Sequence, residues 1–187
     1  MNTNAELISK SDALLLLVDY QKVMLDLCQS SQKVAKRTEY LIDLAGSIGI
    51  PVIFTEHNAE KLGGFLPELL DKVADPKVFN KLDFGCFADE AISSAIKSTQ
   101  KKTIVLAGIE SHVCIFQTGA QAIQLGYRVH AVSDAISARS ASNRKIGLRR
   151  LENAGAVITS SEMVLFELLG KAGTQEFRKV LPLIKSL

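Results

Sequence analysis

Three side chains in this sequence could share one nucleophilic reaction: Asp19, Lys81 and Cys114. Cys114 closes the stretch Leu106-Ala107-Gly108-Ile109-Glu110-Ser111-His112-Val113-Cys114. Before Gly108 the chain is apolar and β-branched, and from Val113 to Leu125 its spacing predicts a helix. A cysteine that opens a helix directly after a buried strand meets unpaired backbone N–H groups and the positive end of the helix dipole. That setting favours the thiolate and predicts a lowered thiol pKa. The same N–H groups could hold the oxyanion of a tetrahedral intermediate. The alternative for Cys114 is a buried structural cysteine. Asp19 ends the unbroken apolar run Ala13 to Val18. An acid at the carboxyl end of a central strand stands where open parallel sheets bind ligands, and its alternative is a helix N-cap. Lys81 falls in an irregular stretch beside Phe84 and Phe87. The two aromatics favour a positioned ammonium over a solvated surface charge.

The elements that must position these residues alternate along the chain. Ala13 to Val18 reads as a strand buried on both faces. Ser31 to Ile48 has helical spacing, with Val34, Leu41, Leu44, Ala45 and Ile48 on one face. Gly49 then leads into a strand from Val52 to Thr55. The same helix–glycine–strand junction recurs at Gly126, before Arg128 to Val132, and at Gly155, before Ala156 to Thr159. With Thr103 to Ala107 these make five predicted strands. Further helices are predicted over Asp89–Ser98, Ser142–Asn153, Ser161–Leu169 and Thr174–Leu181. Glu56 to Ala88 has no clear period and is expected to be a long functional loop. Such alternation predicts an α/β fold with a mostly parallel sheet, in one domain over residues 1–187.

Composition narrows the function classes. A net charge of +2 gives no reason to expect nucleic-acid or membrane partners. The three cysteines, Cys28, Cys86 and Cys114, are odd in number and widely spaced. This argues against a disulfide framework and a zinc site, and fits a reducing cytoplasm. Met1 to Lys10 is polar, without the apolar core of a signal peptide. No G-x-G-x-x-G or Walker sequence points to a nucleotide.

Three separated motifs resemble those of the isochorismatase-like cysteine hydrolases. Leu16-Leu17-Val18-Asp19-Tyr20-Gln21 is similar to the family's V-D-x-Q, Lys81-Leu82-Asp83-Phe84-Gly85-Cys86-Phe87 to its K-x-x-F-[SG]-x-F, and Gly108 to Cys114 to its G-x-x-[ST]-x-x-C. The resemblance runs from about Ala13 to Leu169. It implies a three-layer α/β/α fold with about six strands, a homo-oligomer, and a catalytic triad of Asp19, Lys81 and Cys114. It also implies a non-proline cis peptide at Ile109–Glu110, with the N–H groups of Glu110 and Cys114 forming an oxyanion hole. In that scheme Asp19 is the general base, Cys114 the nucleophile that forms an acyl-enzyme, and Lys81 the cation that supports the charged state. The substrate is then a small amide or related acyl compound, handled without a cofactor.

Departures from the family pattern qualify this reading. Nicotinamidases of this type carry a D-x-H metal motif after the second strand, where this chain reads Thr55-Glu56-His57-Asn58-Ala59. Ala59 cannot ligate a metal, so none is expected, and His57 becomes a pocket or loop residue. Phe84, Cys86 and His112 are further candidates for the pocket wall, although Cys86 also suits a small apolar filler. At helical spacing His112 would face away from Cys114, and His130 suits a core or interface position within its strand. Members that cleave the vinyl ether of isochorismate lack the nucleophilic cysteine, so Cys114 favours acyl transfer. The competing reading is a catalytically silent, oligomeric binding protein. Rapid alkylation of Cys114 near neutral pH separates the two.

Overall fold

The computed structural model describes residues 7–185. The polar N-terminal stretch read for a leader therefore lies partly outside the described residues. The strands are β1 (Ala13–Val18), β2 (Val52–His57), β3 (Lys77–Lys81), β4 (Thr103–Ile109), β5 (Arg128–Ser137) and β6 (Val157–Thr159). Nine helices are interleaved among the described residues: α1 (Lys22–Leu25), α2 (Ser31–Ile48), α3 (Ala59–Leu62), α4 (Pro67–Leu70), α5 (Glu90–Ser98), α6 (Phe116–Gln124), α7 (Ala141–Asn153), α8 (Ser161–Leu169) and α9 (Gln175–Lys185).

The strands form one sheet in the order β3-β2-β1-β4-β5-β6, with every neighbouring pair parallel. The resulting fold is the predicted three-layer α/β/α arrangement. β1 shows why the pattern dictates it. Its side chains alternate between two cores, Ala13, Leu15 and Leu17 on one face and Leu14, Leu16 and Val18 on the other. A strand covered on both faces needs apolar residues at every position, which is what the unbroken run supplies. α2, α8 and α9 cover the first face, while α5 and α6 contribute to the second.

The sixth strand comes from the stretch expected to be irregular. β3 (Lys-Val-Phe-Asn-Lys) lies at the sheet edge, pairs among the described residues only with β2 and is mostly half-exposed or exposed. An edge strand needs no apolar run, so its sequence carries little periodic signal. β5 is longer than the predicted Arg128–Val132. Its register against β4 shifts between Leu106 and Gly108, so that Leu106 pairs with Ala131 but Gly108 with Ile136. The extra residues put Asp134 where its carboxylate accepts from the backbone N–H (2.8 Å) and hydroxyl (2.6 Å) of Ser161, at the start of α8. Among the described residues, no helix is long and apolar enough to cross a membrane.

Candidate active site

The chain runs outward in opposite directions from β1 and β4, so the crevice at their carboxyl ends is the switch point of this sheet. Val18 and Gly108 are register partners there. The strands approach so closely that a Cβ on Gly108 would lie 2.2 Å from the Val18 carbonyl oxygen, and Gly108 has φ +142°. Only glycine satisfies both conditions.

Asp19 follows β1 with φ +60°, a left-handed conformation that aspartate tolerates better than most residues. It caps no helix. α1 is preceded by Gln21, which makes no side-chain cap bond. Instead both Asp19 carboxylate oxygens are held from β2 and β3. The Thr55 hydroxyl donates to Oδ1 at 3.1 Å, and Lys81 Nζ donates to Oδ2 at 2.7 Å. The side chains of Asp19 and Lys81 are fully buried. Lys81 is the last residue of β3, so a regular edge strand, not a loop, carries it. Burial is the largest single effect and opposes its charge, but the Asp19 carboxylate together with the nearby Cys114 and Cys86 outweighs it and the ammonium pKa is raised.

Cys114 completes the cluster. The predicted helix begins as a π-helical turn over Ser111–Ile115, continuous with α6, and Cys114 sits in that turn, not at an α-helix N-terminus. The expected fall in its pKa is therefore corrected. Burial pushes the Cys114 thiol well above the ordinary value, the Asp19 charge adds to this, and the opposing pull of Lys81 is smaller. The resting arrangement is therefore a neutral thiol beside a buried carboxylate–ammonium pair. The Ile109–Glu110 peptide bond is cis. The Glu110 side chain is buried and accepts from the backbone N–H of Arg139 at 2.8 Å and from its Nε at 2.9 Å. These bonds tie the turn to the end of β5.

The candidates for the pocket wall separate. His57 ends β2 in register with Lys81, and its ring stacks on Phe84 with centroids 5.4 Å apart. Burial and the nearby Lys81 lower its pKa, and among the described residues its Nδ1 has no hydrogen-bond partner. Phe84 is 49% exposed, so this pair marks the open side of the cluster. Cys86 is fully buried and lines no open wall; it lies behind Thr55, its sulfur 3.8 Å from the hydroxyl oxygen. His112 approaches Asn143 on α7, Nε2 to Nδ2 at 3.4 Å. Among the described residues, no three His, Cys, Asp or Glu side chains are gathered to hold a metal. A cavity of about 470 Å³ bordered by Lys33, Arg37, Tyr40 and Leu183 shares no residue with the cluster and is lined by no cysteine, serine or threonine.

Several supporting residues carry no signal of their own in the sequence. Gln21, fully buried, accepts from His57 N–H at 2.6 Å and donates to the carbonyls of His57 (2.9 Å) and Gly63 (2.6 Å). It closes the V-D-x-Q motif, which could have flagged it. Thr55 and Thr118 read as ordinary strand and helix residues, and Arg139 as a surface charge.

Comparison with known proteins finds similar chains over most of this length. The family model described as Isochorismatase domain matches residues 13–163. The secreted isochorismatase effector Isc1 of Phytophthora sojae is 34% identical over 177 residues, covering 92% of this chain and 84% of its own. Among solved structures, the MAR1 ribonuclease of Caenorhabditis elegans superposes with a TM-score of 0.91 at 30% identity, over 96% of this chain and 93% of that one. The YcaC gene product of Escherichia coli, described as an octameric hydrolase of unknown specificity, gives 0.87 at 27% identity, over 96% and 88%.

Proposed function

This chain belongs to the isochorismatase family, and from that premise we propose that it is a cofactor-free cysteine hydrolase that forms an acyl-enzyme on Cys114 from a small amide or related acyl substrate. The observation that carries this reading is a buried Cys114 thiol that feels the charge of the Asp19 carboxylate, whose two oxygens are already fixed by Lys81 and Thr55. A thiol that rests neutral needs a base at the moment of attack, and Asp19 is the carboxylate whose charge acts on it.

In the proposed cycle Asp19 takes the thiol proton as sulfur attacks the substrate carbonyl carbon. The oxyanion forms against the backbone N–H groups of Glu110 and Cys114. As the C–N bond breaks, Asp19 returns the proton to the leaving amine, leaving a thioester on Cys114. Water, deprotonated by Asp19, then attacks the thioester, and the acid leaves as the thiol is restored. Lys81 remains an ammonium throughout and prevents the negative charge from being stranded in a buried site. His57 and Phe84 border the acyl group on the open side. The three free cysteines suit a reducing compartment. The octameric state described for the Escherichia coli neighbour supports a homo-oligomer here too. Exposed Leu82 and Phe84 beside the site offer apolar surface for it.

The test is a panel of small amides and esters assayed for acid or ammonia release, with an RNA oligonucleotide included because one structural neighbour is described as a ribonuclease. Turnover of an amide is expected with the wild type and its loss with Cys114→Ala. RNA cleavage that survives Cys114→Ala, with no amide turned over, would sink the acyl-enzyme reading.

A further inference from the structure

Behind Asp19 lies a chain of hydrogen bonds that the proposed cycle does not use. The Thr55 hydroxyl has one proton, and the Asp19 carboxylate can only accept, so that proton points to Oδ1 across 3.1 Å. The contact between Thr55 Oγ1 and Cys86 Sγ, 3.8 Å, then has a single possible direction: the Cys86 thiol donates to the hydroxyl oxygen. Cys86 can fill that role because it stays protonated; burial pushes its pKa up to about 11. The backbone N–H of Cys86 in turn donates to the Thr118 hydroxyl at 3.1 Å. Thr118 lies on α6, four residues beyond Cys114, so the chain returns to the segment that bears the nucleophile. Asp19, Thr55, Cys86 and Thr118 are all fully buried. Water cannot readily replace any of these bonds.

We propose that Thr55 and Cys86 are positioning residues for the general base, Cys86 orienting the Thr55 hydroxyl and Thr55 fixing the plane of the Asp19 carboxylate so that it faces the Cys114 thiol. This rests on the assignment of Asp19 and Cys114 above. Lys81 anchors one oxygen but leaves the carboxylate free to swing about it. The second anchor, Thr55, stops that swing. It also fixes the role of Cys86: a donor to Thr55, not a spare nucleophile.

The test uses iodoacetamide as probe, with labelling read at Cys114 by peptide mass spectrometry at pH 7. In this reaction the sulfur–carbon bond forms, iodide leaves and the thiol proton passes to Asp19, so the rate reports on the base without a known substrate. Thr55→Val keeps the shape and removes the hydroxyl, and is expected to slow labelling about tenfold or more, the scale of a misplaced reacting group. Thr55→Ser keeps the hydroxyl and should label close to the wild-type rate. A packing role would give the reverse order. Cys86→Ala should slow labelling less than Thr55→Val, Cys86→Ser should retain it, and the double variant Thr55→Val/Cys86→Ala should be no slower than Thr55→Val, because Cys86 acts through Thr55. If wild-type Cys114 is not labelled, or Asp19→Asn labels as fast as wild type, the catalytic assignment fails and this inference with it. If labelling depends on Asp19 but Thr55→Val is as fast as wild type or faster, or Thr55→Ser is as slow as Thr55→Val, only the positioning role is overturned. Should Thr55→Val not fold, equal rates for Cys86→Ala and Cys86→Ser overturn it instead.

Discussion

The proposed active centre rests with two charges rather than three: Lys81 as ammonium, Asp19 as its carboxylate partner, and Cys114 as a thiol. Burying a lone thiolate here would cost more than the nearby ammonium returns, so the proton stays on sulfur until a substrate arrives. The same burial makes stability depend on alkaline pH. The Cys86 thiol is raised from 9.0 to about 11. Below pH 9 both folded and unfolded chains keep this proton and its contribution is complete. Between pH 9 and 11 the unfolded chain releases it first, so stability falls as pH rises. Lys81, raised above its ordinary 10.5, acts with the same sign in a higher window. We therefore expect urea midpoints to fall between pH 9 and 11 and Cys86→Ser to flatten the slope by up to about 1.4 kcal/mol per pH unit. An unchanged slope in Cys86→Ser would mean that Cys86 titrates alike in the folded and unfolded chains.

At the scale of elements, the proposed nucleophile is placed by a contact between two helical segments. A Cβ on Gly147 of α7 would lie 2.7 Å from both the carbonyl carbon and oxygen of Ser111, in the π-helical turn that carries Cys114. Backbone cannot yield as a flexible side chain does, so Gly147→Ala must push α7 and the turn apart. The expected cost is about 1–3 kcal/mol of overpacking, or a fall in melting temperature of about 2–10 °C. Labelling of Cys114 by iodoacetamide should slow as well. Gly46→Ala on α2 is the control, since its Cβ would meet nothing within 4 Å. That change should leave melting unchanged or raise it slightly, because alanine is the better helix former. Equal behaviour of the two variants would show that the α7 contact does not set the position of the turn.

At the scale of the molecule, the sheet order brings residues from distant parts of the chain to one crevice. Asp19, Thr55, Lys81 and Cys114 follow or belong to β1, β2, β3 and the segment after β4, four adjacent strands. The proposed assembly belongs to this scale too. Leu82 is 70% exposed and Phe84 49%, both beside the site, while Val23 and Leu27 on and after α1 are also more than half exposed. Light scattering at micromolar concentration is expected to give a mass that is a multiple of one chain. A monomer would remove the case for pairing through this surface.

The sequence by itself determined the strands and helices with strong periodicity. β1 is an unbroken apolar run because both its faces are covered, and Asp89, Ser140 and Ser160 cap α5, α7 and α8 through their side chains as short polar residues before a helix do. It also marked the catalytic candidates, because Asp19, Gly108 and Cys114 stand at breaks in those patterns. Only the tertiary structure decided the rest. β3 is an edge strand whose identity depends on pairing with β2, so its residues carry little period of their own. Thr55 and Cys86 acquire a role only when the parallel register sets β2 beside β1 and the Cys86–Ala88 turn against α6. The Cys114 pKa lies on the opposite side of its ordinary value from the one its local sequence predicts, for the same reason. A helix start lowers a thiol pKa only when water or a dominant cation stabilises the thiolate, and here burial and the Asp19 charge outweigh Lys81. Periodicity is a local property of the chain, whereas burial and electrostatic environment are sums over neighbours that only the fold brings together.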